Sequence, residues 1–131
     1  MTPTKLAYIM QATQGATALA STTPVQIFPA AAVTESAVAT NLGGTRRPLC
    51  NYLTDLQISN GAATAAVITI LDGATTIFTC YLSPTAVTPP PPFHFTTPLK
   101  GSPNTIMYLK SSAAGANVYW NAQGFVAAAN L

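Results

Sequence analysis

Charge is what this sequence has least of. Its 131 residues include five Lys or Arg and three Asp or Glu, so 6% of the chain is charged, against about 25% in an average soluble domain. The folded surface of a 13.5 kDa chain is on the order of 6,500 Å², more than eight charged side chains can cover. Thr, Ser, Asn, Gln, Ala and Pro must cover the rest. Such an exterior loses little when another molecule is laid on it. Thr and Ala forfeit less side-chain entropy than Lys or Glu and bring no ionic desolvation cost. The formal charge of +2 carries no nucleic-acid signature. Arg46 and Arg47 are the only adjacent basic residues, whereas phosphate binding needs a sustained basic patch.

Groups that do chemistry are equally scarce: one His, two Cys and three acids. A Ser-His-acid triad would have to use His94 with Glu35, Asp55 or Asp72, but no nucleophile motif is present and His94 stands between two aromatics in PFHF. Paired-carboxylate hydrolysis would draw on acids in unrelated segments, and Asp72 is better read as a turn residue. The scattered Cys50, Cys80 and His94 do not make a zinc spacing, LDGATT lacks the alternating acids of a calcium loop, and Gly43-Gly44 precedes no helix. The expectation is a protein that is not an enzyme and uses no cofactor or metal.

No apolar run reaches the 18 residues of a membrane span. Lys5 is followed only by LAYIM, too short for the apolar stretch of a signal peptide. Synthesis in the cytoplasm is expected, with Cys50 and Cys80 buried and unbonded rather than joined in a disulfide. Disorder is excluded by 49% hydrophobic residues and a positive mean hydropathy of +0.34.

The signals that remain are those of β-structure. Residues 1–45 read as an extended N-terminal arm with one to three short strands, broken by Pro3, Pro24 and Pro29, with a short helix still open over 30–40. Residues 46–131 read as the sandwich domain. In PLCNYLTDLQISN, alternation puts Cys50, Tyr52, Thr54, Leu56 and Ile58 on one face of a strand that ends at Asn60-Gly61. Asp72-Gly73 predicts a two-residue hairpin pairing Val67 with Phe78 and Ala65 with Cys80, and placing Ile68, Ile70 and Ile77 on the other face. Both faces would then be apolar, and one needs a cover from the arm or another subunit. Residues 83–92, SPTAVTPPPP, predict an extended surface loop. Strands follow in FHFTTPL, NTIMYLKS (Met107 and Leu109 against Tyr108 and Lys110) and NVYWNAQGFVA (Val118, Trp120 and Ala122 sharing a face). The nine aromatics from Tyr52 to Phe125 read as core. The fold class is therefore all-β, an antiparallel two-layer sandwich of jelly-roll or immunoglobulin-like order.

The segments RPLCNYLTDLQISNG, AAVITILDG, FHFTTPLKGSPNTIMYLK and NVYWNAQGF together resemble small β-sandwich virion proteins of tailed bacteriophages, especially capsid decoration (cement) and head-fibre-like proteins. The resemblance covers roughly residues 46–126, and the arm departs from it. It implies a structural protein of the virion, seated as a homotrimer on the capsid surface and bridging subunits of the major capsid protein, with no nucleic-acid or membrane partner. A tail or fibre module that binds a host-surface receptor through the 83–92 loop is the alternative. On the hairpin and arm patterns, the candidate subunit-interface residues are Ile68, Ile70, Ile77, Pro24, Ile27 and Phe28.

Overall fold

The computed structural model describes residues 9–16, 22–30, 48–84, 91–113 and 116–128. They form eight strands: β1 (Ile9–Ala16), β2 (Val25–Phe28), β3 (Leu49–Asn60), β4 (Ala66–Asp72), β5 (Thr75–Leu82), β6 (Phe93–Lys100), β7 (Met107–Ser111) and β8 (Val118–Ala128). Two four-stranded sheets result, ordered β1-β8-β3-β6 and β2-β7-β4-β5, and all of their pairings are antiparallel. β1 pairs with β8, β2 with β7, β3 with β6 and β4 with β5. This is the nested order of one long hairpin rolled into two sheets, a jelly roll. The immunoglobulin-like alternative is thereby excluded. The described part of residues 1–45 supplies an edge strand to each sheet, so those strands are members of the sandwich. The 45/46 boundary, the helix considered over 31–40 and residues 85–90 of the proline loop lie outside the described residues.

The core between the sheets gathers Ile27, Phe28, Leu53, Leu56, Ile58, Ile68, Ile70, Leu82, Met107, Leu109, Val118 and Trp120. The faces expected for the strands containing Met107 and Trp120 are those observed. In β3 the expected alternation fails halfway. An irregularity between Leu53 and Asp55 adds Thr54 as an extra residue in the ladder to β8, and at the same step the ladder to β6 passes over residues 95–98 of β6. One extra residue inverts the phase of a period-two strand. Leu56 and Ile58 therefore face the main core, while Cys50 and Tyr52 pack with Ala127 and Phe125 in a separate cluster, the Tyr52 and Phe125 rings stacked at 4.8 Å. Gly124, opposite Leu53, belongs to this arrangement: a Cβ there would collide with the Tyr52 carbonyl oxygen.

The hairpin is also shifted. Asp72 pairs with Thr75, so Gly73-Ala74 are the two loop residues. Gly73 has φ +60° while Ala74 has no positive φ, which fits a type II′ turn with Gly first. A bulge between Ile70 and Leu71 then sets Ile70 opposite Phe78, Ile68 opposite Cys80 and Val67 opposite Tyr81. The expected Val67–Phe78 and Ala65–Cys80 pairs are corrected accordingly. Neighbouring Ile77 and Phe78 both pack against the core, as the extra bulge residue permits. Phe78 meets Phe93 and Phe95 edge-on at 5.2 and 5.1 Å, linking β5 to β6 across the sandwich.

One polar arrangement fastens the two layers, and another ties neighbouring strands within one sheet. Asn51 is 1% exposed. Its Oδ1 accepts from Gln11 Nε2 at 2.8 Å, its Nδ2 donates to the carbonyls of Pro29 (2.8 Å) and Thr105 (3.2 Å), and its own carbonyl accepts from Gly101 N–H at 2.8 Å. Beside the β3 bulge, His94 Nδ1 lies 2.7 Å from Asp55 Oδ1, pinning β6 to β3 on an exposed surface. The hydrogen bond from His94, and secondarily that from Thr54, holds the Asp55 carboxyl below its ordinary range.

Substituting Asn51→Ala strands several buried groups at once and is expected to lower the unfolding free energy by roughly 2–4 kcal/mol in urea titrations. A loss within experimental error would show that these bonds are not structural. A lowered carboxyl pKa stabilises the fold above the ordinary value near 4, and that contribution disappears as pH falls through the depressed value. Because the pair is exposed, its contribution is under about 1 kcal/mol. Thermal midpoints of the unmodified chain and Asp55→Asn are therefore expected to differ slightly at pH 5–6 and to converge towards pH 2. A gap that stays constant with pH would refute the coupling.

Candidate assembly surface

The outer face of the β2-β7-β4-β5 sheet follows from the corrected register. Ile68, Ile70 and Leu82 turn inward, so Val67, Thr69 and Leu71 turn outward. Pairing sets Thr69 between Lys110 and Thr79, and Leu71 between Tyr108 and Thr76, while Val67 stands beside Tyr81. A shallow depression of ≈ 730 Å³ runs over this face, lined by Pro24, Val67, Thr69, Leu71 and Thr76, with Lys110 at its side. Among the described residues that line it, Lys110 is the one charged group. Val67 is 39% and Tyr81 63% exposed.

Of the six residues expected at a subunit interface, four are inside the chain's own core: Ile27, Phe28, Ile68 and Ile70 are at most 1% exposed. Ile77 is half-buried against the same core. These five are corrected from interface to sandwich interior, because β2 packs as a sheet strand and the hairpin register turns the isoleucines inward. Pro24 remains exposed and lines the depression. Sequence reasoning missed Val67, Leu71, Thr79 and Tyr81 as outward groups. Gly73 as first residue of a Gly-X loop was the available signal.

The other sheet exposes Met10 (75%) and Tyr119 (47%). Tyr81 and Tyr119 thus depart from the expectation that every aromatic is core. Asp72 is used structurally: its Oδ1 and Oδ2 accept from Ser102 N–H at 2.9 Å and Ser102 Oγ at 2.5 Å, tying the β4–β5 turn to the loop after β6. Cys50 and Cys80 are free thiols, the first buried and the second half-buried, and burial pushes both pKa values up. Among the described residues no three His, Cys, Asp or Glu side chains come together, and no helix is long and apolar enough to cross a membrane.

What the exterior offers is methyl, hydroxyl and aromatic surface with few ions. Interface cores are likewise depleted of charge and enriched in Tyr and Met. No protein-family model matches the chain, and no curated protein matches it in sequence. Among solved structures, it is similar to a chain of the virus-like particle of the extra small virus of the giant freshwater prawn, Macrobrachium rosenbergii. That likeness spans 91% of this chain and 78% of the other, at 12% identity and a TM-score of 0.39.

Proposed function

We propose that the chain is a structural subunit of a virus particle, and specifically a decoration protein that stabilises the head of a tailed bacteriophage by bridging neighbouring capsid subunits. The observation that carries this reading is the charge-poor exterior, in particular the outer face of Val67, Thr69, Leu71 and Tyr81, with Lys110 the only ion among the described residues lining its depression. Covering that face gains about 25 cal/mol for each Å² of apolar area removed from water and strips the hydration from almost no ions. The jelly-roll order agrees with a capsid role, since the architecture recurs in viral capsids. It also recurs in lectins and cupins, so it adds only fold-level analogy.

The sequence resemblance to phage decoration proteins supplies the finer part of the proposal: the head surface as location and the major capsid protein as partner. A receptor-binding fibre module would need a platform of exposed rings. Tyr81 and Tyr119 stand in different sheets, so they do not form one together.

The test is to purify particles with and without the protein. It is expected in fixed stoichiometry on washed heads, and heads lacking it are expected to open at lower temperature. Val67→Glu changes an exposed position and is expected to leave folding intact while weakening head binding at least tenfold, because the new carboxylate would be buried without a partner. Absence from washed heads, or specific binding to host cells instead, would overturn the reading.

A further inference from the structure

Two four-stranded sheets leave four edges: β1 and β6 in one, β2 and β5 in the other. Exposed edges invite pairing with another strand unless something blunts them. β1 and β2 are tied to each other, the Thr13 hydroxyl donating to the Ile27 carbonyl at 2.6 Å, and β2 is four residues long with an irregularity of its own. β6 carries Pro98 and Lys100, and its residues 95–98 have no ladder partners between the Leu53–Leu99 and Asp55–His94 pairs. Apart from a bulge at Ile77 near its start, β5 has none of these protections among the described residues. Its sequence TTIFTCYL is eight residues without Pro, Gly or charge, a composition of high β-propensity.

The hydrogen bonds fix which backbone groups β5 presents. Val67 N–H donates to Ser112 Oγ at 2.8 Å, and Ser112 N–H donates to the Val67 carbonyl at 2.9 Å. Both polar groups of Val67 therefore point towards β7 and away from β5. In an antiparallel ladder the residue opposite must likewise turn its groups away, so Tyr81 directs its N–H and C=O out from the edge. Thr79, opposite Thr69, does the same. Among the described residues nothing hydrogen-bonds to these four groups.

We propose that β5 pairs antiparallel with β5 of a second copy of this chain, about a two-fold axis passing beside Cys80. In that register Thr79 meets Tyr81 of the partner subunit and Tyr81 meets the partner's Thr79, each pair exchanging two hydrogen bonds. All of the outward groups are then used. A two-fold contact sets a strand against itself, so any net charge on β5 would meet its like, and β5 carries none. The pairing also joins the outer faces of the two copies, making the Val67–Tyr81 surface continuous across the axis. One strand pair buries less than the roughly 1,200–2,000 Å² of a stable interface, so the contact is reversible in solution and closes where copies are concentrated, as on a particle. In this respect the inference rests on the assembly reading and names the second copy as partner.

Cys80 lies on the axis as a non-hydrogen-bonded pair, for which Cα atoms stand about 4.5 Å apart, inside the range of about 4.4–6.8 Å that a disulfide spans. The full-length native protein is oxidised with copper–phenanthroline at high concentration and mildly alkaline pH, the reagent taking up the two electrons as two thiols lose their protons. A disulfide-linked dimer through Cys80 is expected, absent in Cys80→Ser and retained in Cys50→Ser. Thr79→Pro deletes an outward N–H that no described residue of the monomer uses, and Thr79→Lys sets a charge on the edge without touching the backbone. Each is expected to reduce the dimer yield at least tenfold, with circular dichroism reporting whether the monomer remains folded. No Cys80 dimer, a yield that a folded Thr79→Lys chain leaves unchanged, or open-ended aggregates in place of dimers would overturn the pairing. Failure here with the protein still found on heads would leave the particle role standing. A Cys80 dimer from a protein absent from heads would leave only the pairing.

Discussion

The side-chain amide of Asn51 holds the two layers of the sandwich to one another. Its four hydrogen-bonding contacts, counting that of its own carbonyl, reach β1, the segment after β2, the turn after β6 and the segment before β7. Of these, only the segments flanking β2 and β7 adjoin strands that share a ladder. A buried amide satisfied on all sides is costly to rearrange, so it fixes how the β1 and β2 ends meet the remaining strands. The nested strand order depends on that placement, because β1 and β2 must each reach the far end of the chain to find β8 and β7.

Much of this architecture was legible in the sequence, and the limits of legibility have a common origin. Strand existence followed from β-branched runs between Asn-Gly, Asp-Gly and Lys-Gly-Ser-Pro punctuation, and the core faces around Met107 and Trp120 followed from simple alternation. The register errors lie at two bulges and one displaced turn. Thr54 adds one residue to β3 and exchanges the faces of Cys50 and Tyr52 for those of Leu53 and Asn51. The irregularity at Ile70–Leu71, with the turn displaced to Gly73-Ala74, moves Ile68 and Ile70 from a supposed outer face to the interior. A bulge is set by close backbone approach in a neighbouring strand, as at Gly124 against Tyr52, and such an approach leaves no periodic mark in the strand that bulges.

For the candidate site the consequence was larger than for the fold. An interface residue is defined by which way it points, and direction is what a register shift changes. Pro24 lies before β2, outside the register shifts, and stays exposed, whereas Val67 and Tyr81 were hidden by the misplaced turn. The scarcity of charge survives any register, since it is a property of composition. It is therefore the part of the functional argument that the corrected structure leaves unaltered.

The nested order also sets an order in time. The β4–β5 hairpin closes across a two-residue turn, whereas β3 and β6, β2 and β7, and finally β1 and β8 join residues progressively further apart in the chain, ending with Ile9 beside Val126. Each outer pair must overcome a larger loop-closure entropy, though the increment grows only logarithmically. Topologies dominated by such distant pairings fold on the slow scale of milliseconds to seconds. If pairing grows outward from the type II′ turn, β5 forms among the first strands and β1 among the last, and the β5 edge stands open before the sandwich around it is complete.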